Sequence, residues 1–154
     1  MKRKPTPDPL LLDQQLCFAL YASSRSITGL YRPLLEPLGL TYPQYLVMLV
    51  LWEQDGITVR ELGQRLQLDS GTLTPLLKRL QSAGLVSRQR RAEDEREVEI
   101  RLTPAGLALR EPASDIPACM AQRLELSFDQ MQRLRDELKQ LTQHLQHPPS
   151  RINP

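Results

Sequence analysis

Residues 58–103 read TVRELGQRLQLDSGTLTPLLKRLQSAGLVSRQRRAEDEREVEIRLT, and this stretch carries the clearest structural pattern in the chain. Thr58 and Glu61 have the spacing of a capping box, in which each side chain accepts a backbone N–H at the start of a helix. A turn at 67–69 leads into a second helix, which Gly84 ends as a left-handed C-cap. Two short helices joined by a tight turn are typical of a helix-turn-helix. The inner face of the second helix carries Leu73, Leu76, Leu77 and Leu80.

Beyond Gly84 the hydrophobic pattern changes from helical to alternating. Over 86–90, Val86 and two arginines alternate with Ser87 and Gln89, and over 97–102 apolar residues alternate with charged ones. The polar residues 91–96 lie between the two segments. This pattern predicts a β-hairpin directly behind the helix-turn-helix. We therefore predict a mainly α fold with a small β-hairpin wing (α+β), in which a winged helix-turn-helix DNA-binding domain covers residues 41–106.

The flanking segments are predicted to be helical. Over residues 10–40 apolar side chains recur at threes and fours, which indicates one long helix with Asp13 as its N-cap. Residues 1–9 contain three prolines and are expected to form a flexible arm. The residues expected to end the long helix are Pro33, Pro37 and Gly39.

A second helix, from Gln44 to Glu53, is apolar on nearly every side and should be central to the core. Its residues Met48 and Trp52 are expected to be core residues, and so is Tyr21 of the first helix. Residues 107–147 form further helices, interrupted near Pro112 and Pro117, and residues 148–154 form a tail. The two terminal helical regions, 10–40 and 107–147, carry more apolar stripe than a small winged domain covers. We expect both to be buried in a two-fold homodimer.

Composition excludes several classes of protein. The net charge of +2 does not by itself indicate nucleic-acid binding. No apolar segment is long enough to span a bilayer, and no signal peptide follows the basic N-terminus, so we expect a cytoplasmic protein without membrane contact. Cys17 and Cys119 are too few for a disulfide scaffold or a zinc knuckle, and His144 and His147 lack partner ligands. We expect no metal and no cofactor.

The second helix of a helix-turn-helix lies in the major groove of DNA, with its N-terminal residues at the base edges. Short hydroxyl side chains reach phosphates or bases there, and cations on the following turn contact phosphates or guanine. The candidates on this helix are Ser70, Thr72, Thr74, Lys78 and Arg79.

The wing is a second candidate for DNA contact, with Arg88, Arg90 and Arg91 at its entry. Residues 86–101 contain five arginines and five acidic residues, so a solvated, charge-neutral hairpin is the alternative. We expect Asp94 and Arg96 to pair at the tip while Arg91 or a neighbour enters the minor groove, whose negative potential attracts arginine.

The sequence resembles the MarR family of winged-helix regulators in the segments DSGTLTPLLKRL (69–80), GLV (84–86), DER (94–96) and LTPAG (102–106). Two further segments, LCFALY and LTYPQY, are similar to those of the organic hydroperoxide regulators within that family. They span 16–21 and 40–45.

This resemblance implies a homodimeric repressor that binds a pseudo-palindromic operator and releases it when an organic hydroperoxide oxidises a cysteine. The matching cysteine is Cys17, and the tyrosines that hydrogen-bond it match Tyr31 and Tyr42. In members with a second cysteine, that residue comes from the other subunit and forms a disulfide, for which Cys119 is the candidate.

The chemistry of the residues agrees with this implication. Cys17 lies near a helix start, where free amide dipoles favour a thiolate. Tyr31 follows it by 14 positions, or about 20 Å along one helix, so only an antiparallel partner helix brings a phenol to the thiol.

Three alternatives remain open from sequence. The first is a MarR-type repressor gated by a small phenolic ligand, with incidental cysteines. The second is a thiol peroxidase, although we predict that the protein is not an enzyme. The third is a winged-helix adaptor that never binds DNA, whose weak binding to duplexes would not depend on salt.

Overall fold

The computed structural model describes residues 8–147, so that most of the expected arm at 1–9 and the whole tail at 148–154 lie outside the described residues. The chain divides into two compact units, residues up to 116 and residues from 117 onward. The helices are α1 (Leu16–Leu35), α2 (Tyr42–Glu53), α3 (Val59–Leu66), α4 (Ser70–Ser82), α5 (Pro104–Ala108), α6 (Arg110–Ala113), α7 (Ile116–Leu124) and α8 (Phe128–Gln146). The strands are β1 (Ile57–Thr58), β2 (Val86–Arg90) and β3 (Val98–Leu102).

The first long helix is shorter than predicted. It begins at Leu16, and its N-cap is Gln15, not Asp13, which lies in a separate 3₁₀ turn, Leu12–Gln14. The Gln15 side-chain amide donates to the carbonyls of Pro9 and Leu11 at 2.6 and 3.1 Å. These bonds satisfy the backbone of the preceding turn, so the helix does not extend back to Leu10.

The end of α1 also differs in detail. Pro33 lies inside the helix, near its last turn, and does not end it. A 3₁₀ turn, Glu36–Leu38, follows, and Gly39 then takes a left-handed conformation with φ of 65°. Glycine reaches this conformation without steric cost, and Gly39 therefore allows the sharp change of direction into α2.

The core of the first unit is built around α2. Thr41 caps it, since its hydroxyl accepts the Gln44 N–H at 3.4 Å and the Gln44 side chain accepts the Thr41 N–H at 2.8 Å. Among the described residues, no single helix is both long and apolar enough to cross a membrane. The segments Leu16–Leu38 and Tyr42–Glu53 meet the combined length and composition criterion only as a pair, across a 69° bend. The buried apolar side chains of α2 are Tyr45, Val47, Met48, Val50 and Leu51.

The helix-turn-helix forms as predicted. The Glu61 carboxylate accepts the Thr58 N–H at 2.8 Å, and the Thr58 hydroxyl accepts the Glu61 N–H at 3.1 Å. The backbone N–H and the hydroxyl of Thr58 donate to the Glu61 carboxylate and lower the pKa of Glu61 below its ordinary value. The carboxylate of Asp69 caps α4 by accepting the Thr72 N–H at 2.7 Å. Gly84 ends α4 with φ of 72°.

The wing is the predicted antiparallel hairpin, in which Val86 pairs with Leu102 and Arg90 with Val98. A third strand, β1, extends the sheet to the order β1-β3-β2. It was not predicted, because two residues are too short to show an alternating pattern. The fold is thus mainly helical with a small sheet, as the sequence predicts.

The C-terminal helices are interrupted where prolines were expected to interrupt them. Pro112 lies in the short α6, and Pro117 follows the first residue of α7. In the second unit, α8 begins with a capping box between Ser127 and Gln130. The large apolar side chains exposed on α8 are Phe128, Leu134, Leu138 and Leu145.

Candidate redox site and DNA interface

Cys17 is the second residue of α1, and its side chain is exposed. It was predicted just past the first turn, and because the helix begins at Leu16 it lies within that turn. The first four N–H groups of a helix have no partner inside the helix, and their dipoles favour a negative charge. The position therefore leaves the Cys17 thiol accessible and close to unpaired backbone N–H groups.

Tyr21 follows Cys17 by one turn of α1 and is 59% exposed, so the prediction that it is a core residue is wrong. This turn of the helix faces solvent and not the core built around α2. The guanidinium of Arg25 lies over the Tyr21 ring, 5.5 Å from its centroid, and Nη1 lies 3.4 Å from the hydroxyl. Arg25 therefore orients Tyr21 on the same face of α1 as the exposed thiol.

Three tyrosines from α1 and α2 form a cluster. The ring centroids of Tyr31 and Tyr42 are 4.6 Å apart, and those of Tyr31 and Tyr45 are 5.8 Å apart. The predicted pair, Tyr31 and Tyr42, is thus brought together. Tyr45 is a third, buried member that the sequence reasoning did not assign to the site, although it lies three residues from Tyr42 on α2.

The cluster keeps its hydroxyl groups protonated. Burial, with smaller contributions from the neighbouring phenols Tyr42 and Tyr45, raises the pKa of Tyr31 to about 12. Burial also raises the pKa of Tyr42 and of Tyr45. Phenols that stay protonated near neutral pH are hydrogen-bond donors, which is what a thiolate needs from its neighbours.

One chain does not bring Cys17 and Tyr31 together. Both lie in α1, 14 residues apart, which corresponds to about 20 Å at 1.5 Å per residue. Cys119 lies in α7 of the second unit and is half-buried. Among the residues that the structure describes, no group of three His, Cys, Asp or Glu side chains is placed to hold a metal ion.

An open cleft of about 640 Å³ lies beside the tyrosine cluster. Its lining comes from α1 and the segment that leads into α2, and it includes Tyr42 and two arginines, Arg25 and Arg32. A volume of this size accommodates a small organic molecule.

The face of α4 predicted to contact DNA is largely open. Ser70, Thr72, Lys78 and Arg79 are exposed, whereas Thr74 is half-buried. The Thr72 N–H is occupied by the Asp69 carboxylate, so its hydroxyl is the group available to a nucleic acid. Within the described part of the chain, no carboxylate lies within ion-pair distance of Lys78 or Arg79.

In the wing, Arg91 is held by its own strands. Its guanidinium pairs with Glu97 at 3.1 Å and with Glu99 at 3.0 Å, and Glu99 also pairs with Arg101. The hydrogen bond to Glu99 and the charges of Glu97 and Glu99 raise the pKa of Arg91 above its ordinary value. Arg91 therefore braces the two strands of the hairpin, and its guanidinium is already engaged by Glu97 and Glu99.

The predicted ion pair at the wing tip takes another form. The backbone N–H of Arg96 donates to the Asp94 carboxylate at 3.0 Å, and the two side chains do not pair. The two residues are two positions apart in a tight turn, and an Asp side chain in such a turn readily accepts the backbone N–H two residues further on. The guanidinium of Arg96 is exposed, as is that of Arg90, and Arg88 is half-buried; none of the three has a described carboxylate partner.

The fold is that of a winged-helix transcriptional regulator. It has a capped helix-turn-helix, an exposed second helix α4 and a wing whose arginines at 88, 90 and 96 have no described carboxylate partner. Residues 29–110 match a family described as transcriptional regulator SarA/Rot. The organic hydroperoxide resistance transcriptional regulator of Bacillus subtilis (strain 168) is 49% identical over 138 residues, 90% of this chain and 94% of the relative.

Solved structures agree with this class. Reduced AbfR bound to DNA has a TM-score of 0.77 at 38% identity, covering 88% of this chain and 93% of AbfR, a protein of Staphylococcus epidermidis. AbfR also matches as an overoxidised form bound to DNA and as a disulfide form, with TM-scores of 0.73 and 0.65. A mutant of MarR from E. coli complexed with operator DNA is 29% identical, has a TM-score of 0.75, and covers 82% of this chain and 92% of MarR. The chain belongs to the MarR family of transcriptional regulators, in the subgroup of the organic hydroperoxide resistance regulators.

Proposed function

We propose that this protein is a homodimeric transcriptional repressor that senses organic hydroperoxides through Cys17 and releases its operator when oxidised. The observation that carries the proposal is the arrangement along α1. An exposed thiol occupies the first turn, and a pair of protonated phenols, Tyr31 and Tyr42, lies out of its reach in the same chain. A second, antiparallel copy brings the two groups together.

The proposed reaction begins with the Cys17 thiolate. Its sulfur attacks the terminal oxygen of the hydroperoxide, the O–O bond breaks, and the alkoxide leaves and takes up a proton to become an alcohol. Cys17 is then a sulfenic acid, oxidised by two electrons. The phenols of the partner hold the thiolate beforehand by donating hydrogen bonds to it.

The second proposed step is a disulfide with Cys119 of the other subunit. The Cys119 thiolate attacks the sulfenic sulfur, an S–S bond forms, and hydroxide leaves and becomes water. AbfR has structures both in a disulfide form and as an overoxidised form bound to DNA. We therefore assign operator release to the disulfide and not to oxidation of the sulfur as such.

For DNA, we propose that the N-terminal half of α4 reads base edges with Ser70, Thr72 and Thr74, while Lys78 and Arg79 contact phosphates. Arg88, Arg90 and Arg96 of the wing contact the backbone and the minor groove, with Asp94 fixing the tip and Arg91 bracing the strands. Two-fold symmetry then matches pseudo-palindromic half-sites about 34 Å apart. The named relatives are bacterial, and bacterial DNA lies in the cytoplasm, where we place this protein.

The proposal is tested by operator binding. A duplex is first selected from a randomised pool with the reduced protein, and its binding is then measured by fluorescence anisotropy before and after cumene hydroperoxide. We expect oxidation to weaken binding in the wild type and Cys17→Ser to bind without responding. Unchanged affinity in the oxidised wild type contradicts the proposal. Sensing uses one hydroperoxide per cysteine, so we expect no sustained peroxide turnover with a thiol reductant.

A phenolic ligand is the second candidate signal, and the cleft beside Tyr42 favours it. Arg25 and Arg32 at the cleft are cations that suit a ligand carrying a carboxylate as well as an aromatic ring. A repressor gated in this way responds equally in the wild type and in Cys17→Ser, whereas the redox mechanism requires the cysteine.

A further inference from the structure

Aromatic rings form a continuous row through the first unit. It starts with Tyr31 and Tyr42 and passes to Tyr45, whose ring centroid is 5.8 Å from that of Tyr31. Tyr45 in turn meets Trp52 edge-on, with centroids 6.3 Å apart and planes at 66°. All these distances fall within the range in which aromatic pairs attract each other. The row therefore leads from the proposed thiolate-binding phenols to the C-terminal end of α2.

At that end, Trp52 makes a long-range hydrogen bond. Its indole N–H donates to the carbonyl of Gly106 at 3.0 Å, across 54 positions of sequence. Gly106 lies in α5, which directly follows the wing strand β3. Trp52 is half-buried, and its indole N–H has this single described acceptor.

Gly106 packs closely against the segment that follows α4, the second helix of the helix-turn-helix. A Cβ atom at Gly106 would stand 2.0 Å from the carbonyl oxygen of Leu85, the last of the three residues that join α4 to β2. The same oxygen accepts the Thr103 N–H at 3.1 Å, and the Thr103 hydroxyl donates to the Gly84 carbonyl at 2.6 Å. A displacement of Gly106 is therefore passed to the junction of the recognition helix and the wing.

We propose that Trp52 is a positioning residue that couples the phenol cluster to the DNA-reading surface. The inference rests on the proposed redox function, because that function supplies a difference between two states. The phenols donate to a charged thiolate in the reduced protein and lose this acceptor when the sulfur enters a disulfide. A coupling of this kind requires that the linked contacts differ between the two states.

The test compares Trp52→Phe with the wild type. The substitution keeps an aromatic ring beside Tyr45 and removes the donor to Gly106. For each protein, the operator dissociation constant is measured in the reduced form and after oxidation by cumene hydroperoxide. The oxidised value is divided by the reduced value. We expect this ratio to fall about fivefold in Trp52→Phe, the equivalent of one neutral hydrogen bond.

Glu53→Gln is the matched control. Glu53 is the next residue on α2 and pairs with Arg65 of α3 at 2.6 Å, outside the ring row. We expect this variant to keep the wild-type ratio. If Trp52 has only a structural role, Trp52→Phe changes the stability or weakens both forms equally, and the unchanged ratio overturns the inference.

A second measurement does not depend on a folded variant. Trp52 is the single tryptophan of the sequence, so its emission reports on this one position. We expect the emission of the wild type to shift on oxidation, in step with operator release. Constant emission during release overturns the inference and leaves the proposed function intact, whereas a wild type that keeps its operator after oxidation contradicts the proposed function itself.

Discussion

Cys17 and Tyr31 belong to the same helix but have opposite environments. The thiol is exposed at the first turn, while the phenol is half-buried in a cluster that raises its pKa to about 12. In the proposed dimer, the accessible thiol of one chain is the acceptor and the protonated phenol of the other chain is the donor. Each chain thus supplies half of the proposed sensor.

Tyr31 gives the protein a specific dependence on alkaline pH. Unfolded Tyr31 loses its proton near pH 10, whereas folded Tyr31 keeps it to about 12. The stabilisation is fully present below about pH 10 and is lost as the pH rises through about 12. We expect the free energy of unfolding, measured by urea denaturation, to fall more steeply between about pH 10 and about pH 12 in the wild type than in Tyr31→Phe. Identical slopes in the two proteins would contradict the raised pKa.

Elements whose signal is local were predictable from the sequence. The capping box at Thr58 and Glu61 and the left-handed Gly84 both lie where their residue types require. The start of α1 depends instead on side-chain hydrogen bonds of Gln15 that the apolar pattern and the capping rules do not indicate. Asp13 is a good capping residue, but the side chain of Gln15 binds the preceding turn and the helix starts later.

The site was predictable to a similar extent. Tyr31 and Tyr42 meet as the family resemblance implies, because both α1 and α2 follow from their apolar patterns. The hydrogen bond from Trp52 to Gly106 and the capture of Arg91 by Glu99 depend on tertiary placement. Sequence reasoning treated Trp52 only as a core residue for this reason.

Gly106 is the position in α5 least tolerant of a side chain. We expect Gly106→Ala to lower the free energy of unfolding by about 3 kcal/mol, because its Cβ would overlap the Leu85 carbonyl. Gly29→Ala is the comparison, since Gly29 is helical and nothing lies within 4 Å of its added Cβ. There we expect stabilisation by about 0.5–1 kcal/mol. Equal effects at the two glycines in urea denaturation would contradict the close approach.

The wing divides its arginines into bracing and reaching residues. We expect Arg96→Ala to weaken operator binding about tenfold and to reduce the slope of log K against log salt by about one. Glu93→Ala, at the same exposed hairpin tip, serves as the control and should not weaken binding. An Arg96→Ala variant with wild-type affinity and salt dependence would show that the tip stays away from DNA.

Apolar surface remains uncovered in each of the two units. Leu16 and Phe18 of α1 are 65% and 40% exposed, and Leu134 and Leu138 of α8 are 46% and 38% exposed. Exposed apolar surface of this kind marks an interface. The two-fold dimer that we propose covers it and completes the redox site at the same time.

Association is measurable by light scattering during size exclusion. The chain mass is 17.6 kDa, and we expect the particle to have twice that mass. Leu134→Glu with Leu138→Glu should shift it toward the monomer, because burying two unpaired carboxylates is costly. Gln140→Glu, an exposed position on the same helix, should leave the dimer unchanged. A wild type of one chain mass would remove the basis of the proposed sensor.

The most direct test of the redox mechanism follows sulfur chemistry and DNA binding in the same samples. The reduced protein–operator complex is titrated with cumene hydroperoxide, bound DNA is measured by anisotropy, and the disulfide is quantified by intact mass under non-reducing conditions. We predict that bound operator falls in proportion to the Cys17–Cys119 disulfide, and that Cys119→Ser stays bound after oxidation of Cys17. Full disulfide formation with the operator still bound, or release without oxidation of Cys17, would contradict this account.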